Sequence, residues 1–413
     1  MTEPRPKIPI APVLSRASFG APSGNAGSAG RRPASVLDAG QVRKVTSGRV
    51  AIALALREMG ARAGDEVLVP AYHSPSMVPP VLWCGAEPVF YRIAADASVD
   101  LADVAARIGP ATRAIMVTHY FGFPQDMAAI RALCDAHGLQ LLEDCAHAFF
   151  GEHGGRPLGS WGDYAIASSM KFFPTYEGGC LVSSRCRLDG VVLHSAGPGF
   201  EAKAALAALE NSFAYGRLPL LRAALGPLLR LKDLAWRALK SRRTTATSGA
   251  AAAPAPDASA LAPASSDSGF DFEPRWVDKR SSWFSRAVMR LASTRRIAGL
   301  RRRHYLALEQ AARALPGCRP LFASLPEGVV PWQCPLVFDD PETVFERLHA
   351  AGVPLVRFAQ LRWPGVDATT CANSAMLARR VLALPCHQAL REDELAWMAA
   401  QLRAALQPKA EAA

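Results

Sequence analysis

The sequence contains no uninterrupted apolar run of about 18 residues, the length that a membrane-spanning helix needs. It also contains no CxxC pair, and its nine cysteines are odd in number and scattered, which argues against a disulfide framework and against a zinc site. We therefore expect reduced thiols and no metal centre. The first thirty residues have no continuous apolar segment of the secretory type, so we expect a cytosolic protein.

Disorder throughout the chain is excluded by composition. Half of the 413 residues are apolar and only 20% are charged, which is typical of a globular protein with a large core. At roughly 150 residues per domain, this length predicts two to three domain units.

Lysine is scarce, since only eight of the 47 basic residues are lysines. The formal net charge is +11, and the excess is concentrated in residues 217–243, which carry eight basic side chains against one acidic. Because the rest of the chain is nearly balanced, we expect no nucleic-acid partner. The leucines and arginines of residues 216–243 favour two alternatives, a helical insertion packed on its own domain or a contact with a protein partner or the inner membrane face.

Helical and strand signals alternate along the first half of the chain. Short apolar or β-branched runs separated by turns and helical patterns are typical of an α/β fold with a mostly parallel central sheet and helices on both faces. Ligands of such sheets bind beyond the carboxyl ends of the strands. The predicted strands are 66–70, 88–91, 114–118 and 139–144, and the predicted helices are 48–60 and 126–138.

Composition changes suggest four segments. Residues 1–40 form an arm that we expect to be partly flexible, and residues 41–200 form the large domain. Residues 201–269 begin as a helical basic insertion and end in a linker with ten Ala, five Ser and three Pro over 244–269, which we expect to be flexible. Residues 270–413 begin with one long helix, predicted over 283–315, and continue as a smaller C-terminal α/β domain.

Three clusters of residues lie where such a sheet would place a ligand. Ser47, Gly48 and Arg49 precede a helix, where backbone N–H groups suit a phosphate, although an ordinary helix cap explains them equally well. Asp144 ends a buried strand and His147 follows it, a pattern that suits a protonated ring nitrogen and a stacked ring, or else a cap and a surface histidine.

The third cluster is a lysine among apolar residues. Lys171 lies in SSMKFFP, where burial would favour the neutral, nucleophilic amine, unless its head simply reaches water. A phosphate turn, a strand-end aspartate and a buried lysine in this order match the phosphate, the pyridine nitrogen and the aldehyde of pyridoxal 5'-phosphate. The combination therefore predicts that cofactor.

Several segments together resemble the DegT/StrS type of sugar aminotransferases, which are fold-type-I enzymes that use pyridoxal phosphate. The resemblance is strong over about residues 40–200 and weaker over 275–407. The segments that carry it are TSGRVAIALAL, GDEVLVPAYHSPSM, GAEPVFYRI, THYFGFPQDM, EDCAHAFFGEHGGRPLGSWGD, SMKFFPTYEGG and LALPCHQALREDEL.

The resemblance implies a role for each residue of the three clusters. Lys171 would bond to the cofactor aldehyde, Asp144 would pair with the ring nitrogen, and His147 would pack on the ring. The phosphate would be held by Ser47, Gly48 and Arg49, together with either Ser168 or Ser169.

By the same resemblance, the reaction is the transfer of an amino group, from glutamate, to a nucleotide-linked keto-sugar in polysaccharide or glycoconjugate biosynthesis. The family also implies a homodimer. Two alternatives stay open: a pyridoxal-phosphate sugar dehydratase on the same fold, although such relatives carry His at the lysine position, and an interaction protein that only retains the fold. Candidate substrate contacts that follow the predicted strands or the lysine are Tyr72, His73, His119 and Tyr176.

Overall fold

The fold described here is a computed structural model that describes residues 5–20, 32–227 and 272–407. The whole of the expected linker, residues 244–269, and residues 228–243 of the basic segment therefore lie outside the described residues. No helix in the described ranges is long and apolar enough to cross a bilayer.

A seven-stranded sheet forms the centre of the molecule. Its strand order is β1-β9-β8-β5-β4-β2-β3, with every neighbouring pair parallel except the two that involve β9. The strands of this sheet are β1 (Gln41–Val45), β2 (Glu66–Pro70), β3 (Glu87–Tyr91), β4 (Thr112–Thr118), β5 (Gln140–Cys145), β8 (Tyr164–Ser168) and β9 (Gly179–Ser183). A separate two-stranded ribbon consists of β6 (Glu152–His153) and β7 (Arg156–Pro157).

Both faces of the large sheet are buried, as the sequence predicts. Along β4, Ile115 and Val117 pack in one hydrophobic cluster, whereas Ala114 and Met116 pack in another. Because side chains alternate along a strand, the two clusters lie on opposite faces. The helices of this half are α1 (Gly48–Glu58), α2 (Val78–Trp83), α3 (Leu101–Arg107), α4 (Met127–His137) and α5 (Pro198–Ala214).

The C-terminal half forms a smaller α/β unit around a three-stranded antiparallel sheet. Its strands are β10 (Cys318–Pro320), β11 (Gln333–Phe338) and β12 (Val381–Pro385), in the order β10-β11-β12. Its helices are α6 (Trp283–Leu291), α7 (Thr294–Arg313), α8 (Pro341–Ala351), α9 (Ala372–Arg380) and α10 (Glu392–Leu406).

The long helix predicted over 283–315 is wrong, because it is two helices. Ala292 is extended, with ψ 141°, and Ser293 accepts a hydrogen bond from the backbone N–H of Arg296 and thereby caps α7. A serine in that position competes with the helical hydrogen bonds of the preceding turn and begins a new helix.

The segments on either side of the large domain are partly described. In the N-terminal arm, Ile8, Val13 and Leu14 are buried, so this part of the arm packs on the domain. After α5 the chain turns at Gly216 and Leu218, both with positive φ, before residues 219–227 become helical again.

Candidate active site

The first predicted cluster forms a tight turn between β1 and α1. Ser47 is the N-cap of α1, and its side chain accepts a hydrogen bond from the N–H of Val50 at 3.3 Å. Strand β9 passes so close that a Cβ on Gly179 would lie 2.4 Å from the carbonyl oxygen of Ser47, which only glycine avoids. The turn thus presents the first N–H groups of α1, including that of Gly48, at the N-terminus of a helix, where an anion is stabilised.

Asp144 lies near the end of β5, in the middle of the sheet. Its Oδ1 accepts a hydrogen bond from the N–H of Ala146 at 2.8 Å, and its Oδ2 accepts one from Thr118 Oγ1 at 3.0 Å. Burial raises the pKa of this carboxyl, although those hydrogen bonds and the nearby Lys171 oppose the rise. A cationic ring nitrogen in the cavity would be a further charge partner for this carboxylate.

Lys171 follows β8 on the 3₁₀ turn Ser169–Lys171. Burial of the amine lowers the pKa of Lys171 to about 8; Asp144 opposes this shift and Arg49 adds to it. About a tenth of the amine is therefore neutral at pH 7, far more than for an ordinary lysine, and this neutral form is the one that bonds to an aldehyde.

His147 is buried beside this lysine and stacks on an aromatic side chain from the C-terminal half. Its ring lies 3.8 Å from the ring of Trp332, at an angle of 25°. The Nζ of Lys171 lies 4.6 Å from the centre of the Trp332 ring. Burial holds the pKa of His147 well below its usual value, so the imidazole is neutral, and its buried Nδ1 has no hydrogen-bond partner among the described residues.

The main chain of Lys171 is held by a buried arginine. Arg301 on α7 is fully buried, and its guanidinium lies 4.3 Å from the ring centre of Phe172. The Nε2 of Gln388 donates to the carbonyl of Phe172 at 2.7 Å. The acceptors of Arg301 are the carbonyls of Lys171 (2.7 Å), Pro331 (3.1 Å) and Trp332 (3.0 Å) and the Oε1 of Gln388 (3.0 Å). One cation thus joins the lysine turn, the Trp332 segment and the loop after β12.

The Ser47 turn, Asp144, His147, Lys171 and Trp332 line one cavity of about 210 Å³. Ser168 lies in its wall, and its Cβ is 3.9 Å from where a Cβ of Gly48 would be, whereas Ser169 does not line the cavity. Of these two serines, the structure therefore places Ser168 beside the turn formed by residues 47–49. All seven residues predicted to bind the cofactor line this cavity: Ser47, Gly48, Arg49, Asp144, His147, Ser168 and Lys171.

Two predicted substrate contacts lie outside the cavity and are fully engaged elsewhere. His73 hydrogen-bonds a backbone carbonyl through Nδ1 and accepts from the N–H of Trp363 through Nε2 at 3.1 Å. His119 contacts Glu143 through Nε2 at 2.9 Å and accepts from the N–H of Gln125 through Nδ1 at 3.1 Å. Both rings connect buried elements of the fold.

The two predicted tyrosines are also absent from this cavity. Tyr72 is buried in an aromatic cluster, with its ring 4.9 Å from Phe358 and 5.1 Å from Tyr120. Tyr176 lines a second cavity, which adjoins the first. A position directly after a strand or after the lysine does not determine towards which neighbour a side chain points, so the sequence could not predict where these two tyrosines lie.

The sequence analysis missed the residues that close the cavity from distant parts of the chain. Trp332 and residues 356–361 enter from the C-terminal half, and Ile10 and Ala11 from the N-terminal arm. The arm is fixed there because Nε2 of His387 donates to the carbonyl of Pro9 at 2.9 Å. No local motif marks these residues; only the packing of the C-terminal half and the arm brings them to the site.

The donor set fits pyridoxal phosphate. A lysine amine of lowered pKa, a buried carboxylate of raised pKa and an unpartnered imidazole nitrogen surround the cavity, and a helix N-terminus opens beside Ser168. These groups match an aldehyde, a pyridine nitrogen, a ring substituent and a phosphate, respectively.

A sequence model of the DegT/DnrJ/EryC1/StrS aminotransferase family matches residues 32–261, more than half of the chain. The chain belongs to this family. The match contains every residue of the three predicted clusters, but it ends before Arg301 and Trp332.

Curated proteins also match part of the chain. The chain is 38% identical to the GDP-perosamine synthase of Vibrio cholerae over 143 residues. The aligned region is 34% of this chain and 39% of that protein. It is 37% identical to the UDP-N-acetyl-3-dehydro-alpha-D-glucosamine 3-aminotransferase of Acidithiobacillus ferrooxidans over 150 residues. Here the aligned region is 35% of this chain and 40% of that protein. The chain thus matches less than half of the length of either relative.

Solved structures confirm the fold of the family over most of the chain. The aminotransferase TlmJ of Streptoalloteichus hindustanus aligns with a TM-score of 0.60 at 22% identity, covering 89% of this chain and 86% of that one. DesV of S. venezuelae, solved with a ketimine intermediate, aligns with a TM-score of 0.60 at 21% identity. This alignment covers 90% of this chain and 86% of DesV. These likenesses confirm the fold-type-I α/β architecture that the sequence predicts.

Proposed function

We propose that this chain is a pyridoxal-phosphate-dependent aminotransferase that moves an amino group from glutamate to a nucleotide-linked keto-sugar in polysaccharide or glycoconjugate biosynthesis. The observation that carries the proposal is the meeting of Lys171, Asp144 and the Ser47 turn in one cavity. Family membership and the activities of two relatives, a GDP-perosamine synthase and a UDP-sugar 3-aminotransferase, support a nucleotide-linked keto-sugar as the acceptor.

Three residues of the cavity have a defined task in this reaction. Bound pyridoxal phosphate supplies an aldehyde and an electron-accepting ring. Lys171 would hold the aldehyde through its amine, and its Nζ would act as the general base for proton transfer. Asp144 would keep a proton on the ring nitrogen through its buried carboxylate. His147 would pack on the ring as a neutral imidazole.

The remaining groups bind and shield. The first N–H groups of α1, with Ser47, Arg49 and Ser168, hold the phosphate. Trp332 covers the amine of Lys171 and excludes water from it, which strengthens the electrostatic interactions inside the cavity.

Replacement of the lysine tests the proposal. Lys171→Ala should abolish turnover, because positioned proton transfer alone contributes about 10²- to 10⁴-fold, while Lys279→Ala at a surface ion pair should leave it unchanged. Borohydride reduction and peptide mapping should label Lys171. Near-normal activity of Lys171→Ala would refute the proposal.

Asp144→Asn distinguishes the role of the carboxylate from a purely structural one. The amide keeps the shape but cannot hold a proton on the ring nitrogen, so we expect a yellow protein with little activity. Retention of full activity by Asp144→Asn would remove the carboxylate from the mechanism.

A dehydratase is the alternative reaction on the same fold. An aminotransferase converts the cofactor to its amine form when glutamate alone is added, whereas a dehydratase leaves its absorbance spectrum unchanged. Loss of the aldehyde-dependent absorbance on addition of glutamate is the expected result, and an unchanged spectrum would favour the dehydratase.

We further propose a cytosolic homodimer. Two large apolar side chains of α6 are exposed, Trp283 at 68% and Leu291 at 64%, and a second copy of the chain would cover them. Sedimentation should give twice the chain mass for the wild type and a lower value for Trp283→Glu. An unchanged dimer in that variant would exclude this face.

We also propose peripheral membrane contact through residues 216–243. In the described part of this segment, Leu220 is 69% exposed and Leu221 is 39% exposed. Flotation with anionic vesicles should separate the full chain from a chain lacking residues 201–269, and equal behaviour of the two would exclude membrane contact.

A further inference from the structure

Gln333, the first residue of β11, is a buried glutamine in the wall of the 210 Å³ cavity. It is only 3% exposed, and its Oε1 has no hydrogen-bond partner among the described residues. A buried amide oxygen without a partner is costly, so native proteins rarely keep one. A ligand in the cavity could supply the missing donor.

Two other buried glutamines show that burial in this fold does not by itself leave the amide oxygen unpaired. The Oε1 of Gln125 accepts from the backbone N–H of Val99 at 3.0 Å, and its Nε2 donates to a backbone carbonyl at 3.0 Å. The Oε1 of Gln388 accepts from Arg301, and its Nε2 also donates to a backbone carbonyl. Neither of these two glutamines lines the cavity, whereas Gln333 does.

The part of the wall that comes from the C-terminal half is otherwise mostly apolar. Its apolar residues are Trp332, Val356, Phe358, Ala359 and Leu361. Arg357 also lines the cavity, but its Nη1 donates to the carboxylate of Glu342 at 3.0 Å, and Gln360 is exposed to solvent. Gln333 is therefore a buried polar group in an apolar surface, an arrangement that fixes the orientation of a ligand.

The backbone holds Gln333 next to a residue that contacts the reacting amine. Trp332 precedes it, and the centre of the Trp332 ring lies 4.6 Å from Nζ of Lys171. The carbonyl of Trp332 accepts from Arg301 at 3.0 Å, and the pairing of β11 with β12 places Gln333 opposite Pro385. A side chain on so firmly held a strand can bind a substrate group in one orientation.

The groups of pyridoxal phosphate are already matched by other residues of the cavity. Those residues are Lys171, Asp144, His147 and the Ser47 turn. The amide of Gln333 is thus left for the substrate. Ionised carboxylates, such as those of glutamate, only accept hydrogen bonds and cannot satisfy Oε1, whereas a hydroxyl both donates and accepts and can satisfy an amide from either end.

We propose that Gln333 binds a hydroxyl group on the ring of the acceptor sugar and thereby selects which sugars react at Lys171. This inference rests on the proposed function, because it requires a sugar acceptor. The hydroxyl donates to Oε1 of Gln333, and the apolar wall keeps water away from that hydrogen bond, which strengthens it.

The two half-reactions of the cofactor-loaded enzyme, each followed by the loss of the aldehyde-dependent absorbance, test this role. Glutamate carries no hydroxyl group, whereas amino sugars, which run the second half-reaction in reverse, do. The amino-sugar probes are GDP-perosamine and a UDP-linked 3-amino-N-acetylglucosamine. Gln333→Leu should lower kcat/KM for the reactive amino sugar about tenfold, because a buried hydroxyl loses its partner, and should react with glutamate like the wild type. Gln140→Leu, at the opposite end of β5 from Asp144, is the control and should change neither half-reaction.

Analogues of the reactive amino sugar that each lack one ring hydroxyl identify the contact. One analogue should react about tenfold more slowly than its parent with the wild type but equally fast with Gln333→Leu, because both changes remove the same hydrogen bond. Losses that add for every analogue would overturn the inference.

Thermal unfolding of the cofactor-free enzyme separates this role from a structural one. Because Oε1 has no partner among the residues that the structure describes, Gln333→Leu should unfold at no lower temperature than the wild type. An unchanged amino-sugar reaction in Gln333→Leu, or an equal loss with glutamate, would overturn the inference and leave the aminotransferase intact. A wild type that reacts neither with glutamate nor with either amino sugar would instead refute the proposed function.

Discussion

Arg301 offers the strictest test of how the site is built. This arginine is fully buried, yet the described residues offer it no carboxylate partner; its partners are three backbone carbonyls and one amide oxygen. Burial lowers the pKa of its guanidinium to about 10. The side chain is therefore costly to bury, and its hydrogen bonds must compensate.

The expected effect of Arg301→Met follows from these two opposing contributions. Four buried acceptors would lose their donor, at about 1–3 kcal/mol each. Removal of the buried cation would also remove its desolvation cost, which the lowered pKa puts at about 3 kcal/mol of folding free energy. The difference between these contributions predicts that the free energy of unfolding falls by about 1–9 kcal/mol, because the lost hydrogen bonds outweigh the recovered desolvation free energy.

Chemical denaturation of the enzyme without cofactor measures this effect. Arg303→Met, on the same helix, is the matched control, because Arg303 is half exposed and lies 3.6 Å from an exposed Glu392; it should cost less than about 0.5 kcal/mol. Arg301→Lys keeps the charge but lacks the planar fork, so an intermediate loss is expected. If Arg301→Met unfolded within about 0.5 kcal/mol of the wild type, the reasoning would be refuted.

A second readout separates positioning from stability. Arg301 donates to the carbonyls of both Lys171 and Trp332, and so fixes the amine against the indole. At temperatures where the variants remain folded, Arg301→Lys should shift the pH dependence of the absorbance of the lysine-bound cofactor. An unchanged pH profile would assign Arg301 a purely structural role.

Three further predictions concern single residues. Because the pKa of Lys171 is about 8 and its neutral form reacts, the rate of cofactor capture should rise about tenfold per pH unit below that value and level off above it; a pH-independent rate would contradict this. Gly179→Ala should weaken cofactor binding by displacing Ser47, whereas Gly109→Ala, with open space around it, should not, as a fluorescence titration with pyridoxal phosphate would show. His119→Ala should lower the midpoint of thermal unfolding while leaving KM for the sugar unchanged; a raised KM with unchanged stability would instead make it a substrate contact.

The cofactor half of the site could be predicted from the sequence because it follows from the sheet. Asp144 and Ser168 end neighbouring parallel strands, and the carboxyl ends of such strands meet at one edge. Lys171 follows directly on that edge. The chemical identity of these residues and the alternation of strands and helices were therefore enough to bring them together.

The prediction failed where side-chain direction or distant packing decided the result. Tyr72 and His73 follow β2, but they turn into aromatic clusters instead of the cavity. The break at Ser293 was missed because apolar periodicity continues across it, and only the cap geometry separates α6 from α7. Trp332 carries no motif at all, and its place beside His147 depends on how the C-terminal half packs.

The two halves of the site therefore have different origins along the chain. The residues that would bind the cofactor all lie within the family match over 32–261, whereas the C-terminal residues of the cavity wall, Trp332 and 356–361, lie outside it. A fixed cofactor requires fixed partners, but different acceptor sugars require different walls. Arg301 joins the two halves by holding the lysine turn and the Trp332 segment with one guanidinium. A C-terminal wall that varied in shape could thus change the acceptor without disturbing the amine, provided that this buried cation kept its carbonyl partners.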